Sequence, residues 1–250
     1  MTHLSARDVE LVFPLSAGRQ PKFSDARAQS DRFIRNKAGR ATGLRALTEI
    51  NFSLSDGDRL ALIGRNGSGK STLLRVLGGV LPPDKGEVLA AGALRGIFNL
   101  QVGAQPSASG RDNIILSGLV AGRTRAEIAE REAEIIDFSE LGDFIDMPFG
   151  SYSAGMKMRL LFAAATAFAP DILILDEWLS AGDAPFRAKA QARMSEMVER
   201  SGVLVLASHQ RALVRDVCTL GLWLHEGRMQ MFAPVDEVLD AYDDFQAKAD

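Results

Sequence analysis

Cysteine is almost absent from this 250-residue chain. Cys218 stands alone, so no intrachain disulfide framework can brace the fold. A single small thiol of this kind is expected to be buried. There is also no basic excess: 29 Lys and Arg stand against 32 Asp and Glu, a formal net charge of −3. General attraction for nucleic acid is therefore not implied, although local basic patches are allowed. The N-terminus lacks a basic start followed by a long apolar core, since Arg7, Asp8 and Glu10 fall within the first ten residues. It does not read as a secretory signal. The most hydrophobic region, residues 160 to 175, is interrupted by Pro170 and Asp171. It is short for a membrane span. It reads instead as a buried helix ending before Pro170 and a buried strand over residues 172 to 175. Aromatics are sparse at 7%, and Trp178 and Trp223 form no cluster suited to stacking on sugars. No internal repeat or low-complexity tract stands out. What remains is a chain that is 46% apolar. That is enough to build the core of one large domain or two small ones.

Local patterns organise this core. Residues 9 to 13 form a short strand candidate. Residues 16 to 45 are polar and basic, with eight Lys or Arg. They are expected as a solvated loop or short helix, with contact to lipid headgroups or a membrane partner as the sharper alternative. Residues 50 to 54 alternate apolar and polar, as a half-buried strand does. Asp56-Gly57 then supplies a turn. A helix is predicted over residues 70 to 77, and Pro82 and Pro83 rule out its long continuation. Short strands follow at 86 to 89 and 94 to 98. Residues 111 to 145 read mainly as helix with breaks near Gly122 and Gly142. Residues 152 to 168 are the strongest helix candidate, residues 202 to 207 an apolar strand, and residues 220 to 232 a hairpin about Glu226-Gly227. A last helix is expected over 238 to 245. Strands interspersed with helices favour an α/β core, with an added β subdomain and a helical arm.

Residues 64 to 72 read Gly-Arg-Asn-Gly-Ser-Gly-Lys-Ser-Thr. They fit the phosphate-binding pattern G-x-x-x-x-G-K-[ST] between an apolar strand and a helix. Gly64, Gly67 and Gly69 let backbone N–H groups of the loop, including those of Arg65, Asn66 and Ser68, turn toward phosphate oxygens. Lys70 suits the β- and γ-phosphates and Ser71 suits Mg²⁺. Thr72 is expected to support the loop. The bland alternative is a Gly-rich turn, which the strand–loop–helix context disfavours.

Residues 172 to 177 read Ile-Leu-Ile-Leu-Asp-Glu. A buried strand ending in two acids suits a site at the carboxyl end of a parallel sheet. Asp176 is the candidate Mg²⁺ ligand and Glu177 the group that polarises the attacking water. A structural ion pair is the alternative for either. His209 follows another apolar run and is expected to hydrogen-bond the γ-phosphate. Gln101 is a candidate for sensing Mg²⁺ or attacking water, with Gln105 as competitor. A plain polar loop role is open for both.

Residues 152 to 156, Tyr-Ser-Ala-Gly-Met, open a long helix. A serine and exposed N–H groups at a helix start cap the helix or bind an anion. In order with the loop, Asp176-Glu177 and His209, this segment resembles the signature of ATP-binding cassette (ABC) transporter subunits. The usual family core is Leu-Ser-Gly-Gly-Gln, so Ala154 and Met156 are departures while Ser153 and Gly155 are retained. The resemblance spans roughly residues 8 to 232. It implies a P-loop ATPase core with an antiparallel β subdomain and a helical subdomain. The expected layout is one domain over 1–250, with the β subdomain and core mainly in 1–110 and 165–235. The helical subdomain is expected at about 111–164 and a C-terminal helix at about 236–247.

The resemblance further implies ATP and Mg²⁺, and a head-to-tail dimer in which each phosphate loop faces Ser153, Ala154 and Gly155 of the other copy. Ser180 to Asp183 would link the two sites and Phe13 would stack on adenine. A separate membrane permease is implied, and no nucleic-acid partner is expected. Residues 110 to 113, Met147-Pro148 and residues 176 to 183 resemble ATPase subunits of bacterial polysaccharide exporters. The resemblance thus points to export of a lipid-linked polysaccharide from the cytoplasmic side of the membrane, with cargo selected elsewhere. Exporters of other lipids or drugs, and soluble cassette proteins acting on ribosomes, are the competing expectations.

Overall fold

A computed structural model describes residues 1–15, 31–97, 103–177 and 184–248. They form two compact units. The first comprises Met1–Gly96, Ile174–Glu177 and Gly202–Asp250. The second comprises Ile97–Leu173 and Trp178–Ser201.

The strands are β1 (His3–Pro14), β2 (Phe33–Arg35), β3 (Ala41–Ser55), β4 (Arg59–Ile63), β5 (Lys85–Ala91), β6 (Leu94–Ile97), β7 (Ile172–Asp176), β8 (Val203–Ala207), β9 (Leu220–His225) and β10 (Arg228–Pro234). They join in the order β5-β1-β3-β10-β9-β4-β8-β7-β6, with β2 paired to β3 off this path. The early strands β1, β2, β3 and β5 pair antiparallel. The β4 strand runs parallel to both β8 and β9. This is the mixed α/β arrangement with an antiparallel β portion that the sequence predicts.

Two strands are longer than their alternation suggests, and the cause is local. In β1 the register shifts between Ala6 and Val9, where Asp8 takes φ +48°. Asn51 holds this bulge, accepting from the Asp8 N–H at 2.8 Å and donating to the Asp8 carboxylate at 2.9 Å. An extra residue breaks the period of two, so only the stretch after the bulge reads as a strand. Glu49, at φ +52°, interrupts β3 in the same manner. Residues 31 to 45 are the clearest departure from expectation. The loop or short helix expected there is instead β2 and the beginning of β3. The turn between them is tied by Asn36, whose Oδ1 accepts from the N–H groups of Ala38 and Arg40 at 3.0 Å each. Residues 16 to 30, the rest of that basic segment, lie outside the described residues.

Helix α1 (Lys70–Leu77) agrees with its predicted span, burying Leu73, Leu74, Val76 and Leu77. Helix α6, Arg211–Val217, and the closing helix α7, Val235–Ala247, belong to the same unit. α7 places Tyr242 and Phe245 against Trp223, with ring centroids 5.8 and 5.1 Å away. The tryptophan is thus a packing residue of the core edge.

The second unit is helical: α2 (Gly110–Val120), α3 (Arg125–Ser139), α4 (Ala154–Thr166) and α5 (Ala184–Arg200). Short 3₁₀ turns lie at Gly142–Asp146 and Phe149–Ser151. Capping boxes start α2 at Ser109/Asp112 and α3 at Thr124/Glu127. Each satisfies two otherwise orphaned donors. Phe138, Phe162 and Phe186 meet with centroids 5.8–6.0 Å apart, at the common contact of α3, α4 and α5. The α4 helix is shorter at both ends than its predicted 152–168 span, because Ser153 caps it and the helix stops at Thr166. α5 and α6 have no counterpart in the sequence reading.

Candidate nucleotide site

Three buried strands deliver the site, and the residues at their carboxyl ends belong to the first unit. β4 is buried and apolar from Leu60 to its end, β8 throughout, and β7 until Asp176. Their carboxyl ends lead into Gly64, into Asp176-Glu177 and into Ser208-His209. Apolar burial fixes the strands, and the polar residues are left where each strand stops.

The loop after β4 is shaped by contacts only glycine allows. A Cβ on Gly64, at φ +150°, would lie 2.3 Å from the Leu224 carbonyl oxygen and 2.7 Å from Ser68 Oγ. A Cβ on Gly69, at φ +115°, would lie 3.1 Å from the Ala46 carbonyl oxygen. Gly227 N–H donates to the Ser68 carbonyl at 2.8 Å, so the turn of the β9–β10 hairpin buttresses the loop from behind. Gly69 precedes α1 with no side-chain cap on the first-turn N–H groups. Lys70 Nζ donates to the carbonyls of Gly64 at 2.5 Å and Arg65 at 3.2 Å. Partial burial holds its ammonium below the usual lysine range, while Asp176 and then Glu177 pull it back up.

These parts open on one cleft of about 570 Å³. Asn66, Gly67, Gly69, Lys70, Ser71 and Thr72 line it together with Asp176, Glu177 and His209. Phe13 lines it as well. His209 Nε2 lies 3.7 Å from Glu177 Oε1. Glu177 sits at φ +68°, and its N–H donates to the Ala207 carbonyl at 2.8 Å. A non-glycine residue in this region is uncommon, and such strain concentrates at working sites. The Arg65 carbonyl oxygen accepts from Ser68 N–H and Lys70 Nζ inside the loop, and Ser68 is buried with its Oγ unpartnered among the described residues.

Ser153, Ala154 and Gly155 belong to the second unit and are exposed at the start of α4. Ser153 Oγ accepts from Met156 N–H at 3.2 Å, an N-cap bond. Gln101 and Asp183 lie outside the described residues. The competitor Gln105 belongs to the second unit, where its N–H donates to Asn113 Oδ1 at 2.7 Å. Sequence reasoning missed five lining residues, Arg32, Leu44, Ala46, Ala207 and Ser208. Leu44 pairs with Phe13 in the structure, a register that a segment expected as loop or short helix did not disclose. Arg32 had no local signal.

The chain also matches known proteins. A family profile described as ABC transporter matches residues 47–180. The chain belongs to the ABC transporter family. It is an ATP-binding domain of that family, with the mixed α/β core and helical unit described above. The O-antigen export system ATP-binding protein RfbE of Yersinia enterocolitica is 38% identical over 91% of this chain and 96% of its own length. RfbB of Myxococcus xanthus, another O-antigen export ATP-binding protein, is 42% identical over 81% of this chain. The teichoic acids export ATP-binding protein TagH of Bacillus anthracis is 39% identical over 87% of it. This chain spans 46% of the Myxococcus protein and 39% of the Bacillus one. A solved dimeric ATP-binding cassette in a post-hydrolysis state with ADP and phosphate has the same fold, with TM-score 0.65 at 19% identity.

The residues present fit magnesium as a companion of a nucleotide. Ser71 and Asp176 offer hard oxygen donors in the same cleft. No group of three or more His, Cys, Asp or Glu side chains is placed to hold a metal among the described residues. Magnesium suits such a sparse donor set, because it keeps waters and takes its remaining ligands from substrate phosphates.

Proposed function

We propose that this protein hydrolyses ATP and couples the reaction, through a separate membrane permease, to export of a lipid-linked polysaccharide across the cytoplasmic membrane. The observation that carries the reading is one cleft lined by Lys70, Ser71, Asp176, Glu177 and His209, residues scattered over 140 positions yet gathered at three strand ends. Lys70 and the loop N–H groups bind the phosphates. Ser71 and Asp176 would hold magnesium, whose charge offsets that of the phosphate oxygens. Gln101 is proposed as a further contact to the ion or the attacking water. Glu177 accepts the proton of the attacking water as it adds to the γ-phosphorus, and ADP leaves with the bridging oxygen. His209 hydrogen-bonds the γ-phosphate and keeps it aligned. Phe13 stacks on the adenine.

A second copy completes the site in this reading. Its Ser153, Ala154 and Gly155 meet the γ-phosphate, and Asp183 joins the two sites. Loss of that phosphate releases the bridge, giving an interface controlled by ligand. Support for the polysaccharide cargo comes from the Yersinia, Myxococcus and Bacillus relatives, whose names refer to O-antigen and teichoic acids. None of the helices is long and apolar enough to cross a membrane among the described residues. In this reading the permease is a separate chain, and this protein is peripheral on its cytoplasmic side.

Affinity capture from detergent-solubilised membranes, paired with gene deletion, tests the proposal. A hydrophobic permease should co-purify, and surface glycan should disappear on deletion. Capture mainly of ribosomes, or an unchanged glycan with a different lipid retained, would overturn the cargo assignment.

A further inference from the structure

Arg32 lies just before β2, in a basic segment whose sequence suggests a solvated loop or short helix, or contact with lipid headgroups or a membrane partner. The β2–β3 pairing brings it to the cleft: Phe33 pairs with Leu44, and Arg45 N–H donates to the Arg32 carbonyl at 2.7 Å. The side chain is then aimed by two backbone acceptors. Nε donates to the Arg45 carbonyl at 3.3 Å and Nη1 to the Gly67 carbonyl of the phosphate loop at 3.1 Å. Burial lowers the guanidinium pKa, and Glu226 acts in the opposite direction. Arginine stays cationic even so.

We propose that Arg32 is a nucleotide-binding residue of this cleft, contacting a phosphate that ATP and ADP share. The inference rests on the nucleotide reading above. Its position within the cleft decides which part of the nucleotide it meets. Phe13, Leu44 and Ala46 give the β3 wall an apolar character suited to a base. Asp176 and Glu177 act on Lys70 at the acidic wall, where metal and γ-phosphate belong. Arg32 is fixed to β3 and to Gly67, between the base wall and the loop that cradles phosphate. A guanidinium there meets the α- or β-phosphate with charge-assisted hydrogen bonds.

Binding of ATP and ADP to wild type, Arg32→Ala, Arg32→Gln and Arg32→Lys is measured by calorimetry at several salt concentrations. Thermal unfolding without nucleotide is recorded for each variant. Arg32→Ala is expected to weaken ATP and ADP by the same factor, about tenfold, the effect of one charge-assisted contact. Arg32→Lys should fall between, and the neutral variants should show a flatter salt dependence. The near-isosteric Arg32→Gln carries the test should Arg32→Ala fail to fold. Unchanged affinities, a loss confined to ATP, or an equal loss with an unaltered salt slope would each overturn the assignment. The last of these would make Arg32 only a prop for Gly67. Wild-type protein that binds neither nucleotide would instead overturn the reading on which the inference rests.

Discussion

Replacing Glu177 by glutamine separates the two jobs assigned to this cleft, holding ATP and cutting it. The side chain is 64% exposed, and its neighbour His209 lies 3.7 Å away. An exposed pair of this kind is worth about 0–1 kcal/mol, so unfolding should shift by no more than that. The backbone bond to Ala207 is untouched, because it uses the N–H of residue 177. Glutamine keeps the shape but cannot take a proton. Losing a positioned general base slows turnover by about 10²–10⁴-fold, or about 3–5 kcal/mol in the barrier. Affinity should hold or improve, since one negative charge is removed from beside the phosphates. The expected outcome is therefore a stable, ATP-loaded, non-hydrolysing protein that accumulates as a dimer. Phosphate release, nucleotide calorimetry and light scattering read the three quantities. Glu177→Gly adds a second arm. It relieves φ +68° and should leave stability within about 1 kcal/mol of wild type, because glycine's entropy cost opposes the relief. Turnover within about threefold of wild type in E177Q, on a scale where general bases give at least a hundredfold, would refute the role of Glu177. So would parallel loss of ATP binding.

Other perturbations report on separate parts of the molecule. A Cβ on Gly110 would lie 2.2 Å from the Tyr152 hydroxyl, which donates to the Phe144 carbonyl at 2.5 Å. Gly110→Ala should cost about 1–3 kcal/mol in urea unfolding, the usual penalty for overpacking. Cys218 is buried, and desolvation pushes its thiol from 9.0 up to about 12. It should resist maleimide at pH 7 until the protein unfolds. The raised pKa contributes stability that is fully present below pH 9 and is lost as pH climbs toward 12. By linkage the loss is about 1.4 kcal/mol at pH 10, and Cys218→Ala should flatten this alkaline arm. Ser153→Ala should remove the cap of α4 at a cost of about 1 kcal/mol. If the dimer proposal holds, it should also reduce ATP-driven dimerisation by more than that loss explains, measured by light scattering in the E177Q background.

How much of this molecule the sequence discloses depends on whether a feature is contiguous. The loop from Gly64 to Thr72 and the acids at the end of β7 each carry their chemistry in one run, and helix α1 and the Glu226-Gly227 hairpin turn could be read from local residues alone. The hairpin follows from two residues at φ +49° and +79°, which match the right-handed twist of adjoining strands. Strand lengths were less legible. The bulges at Asp8 and Glu49 shift the side-chain alternation, and their stabilising partners come from other strands or the far side of the bulge. Helix α5 is a different case. Phe186, Ala190, Met194, Met197 and Val198 are all buried and recur at helical spacing, so its pattern lies in the sequence. Arg32 marks the limit. Its place in the cleft depends on β2 finding β3 and on a carbonyl 35 residues away. No window of neighbouring residues contains that information. A basic segment that reads as solvated can therefore supply charge to a binding site once strand pairing folds it back, and composition cannot tell the two outcomes apart.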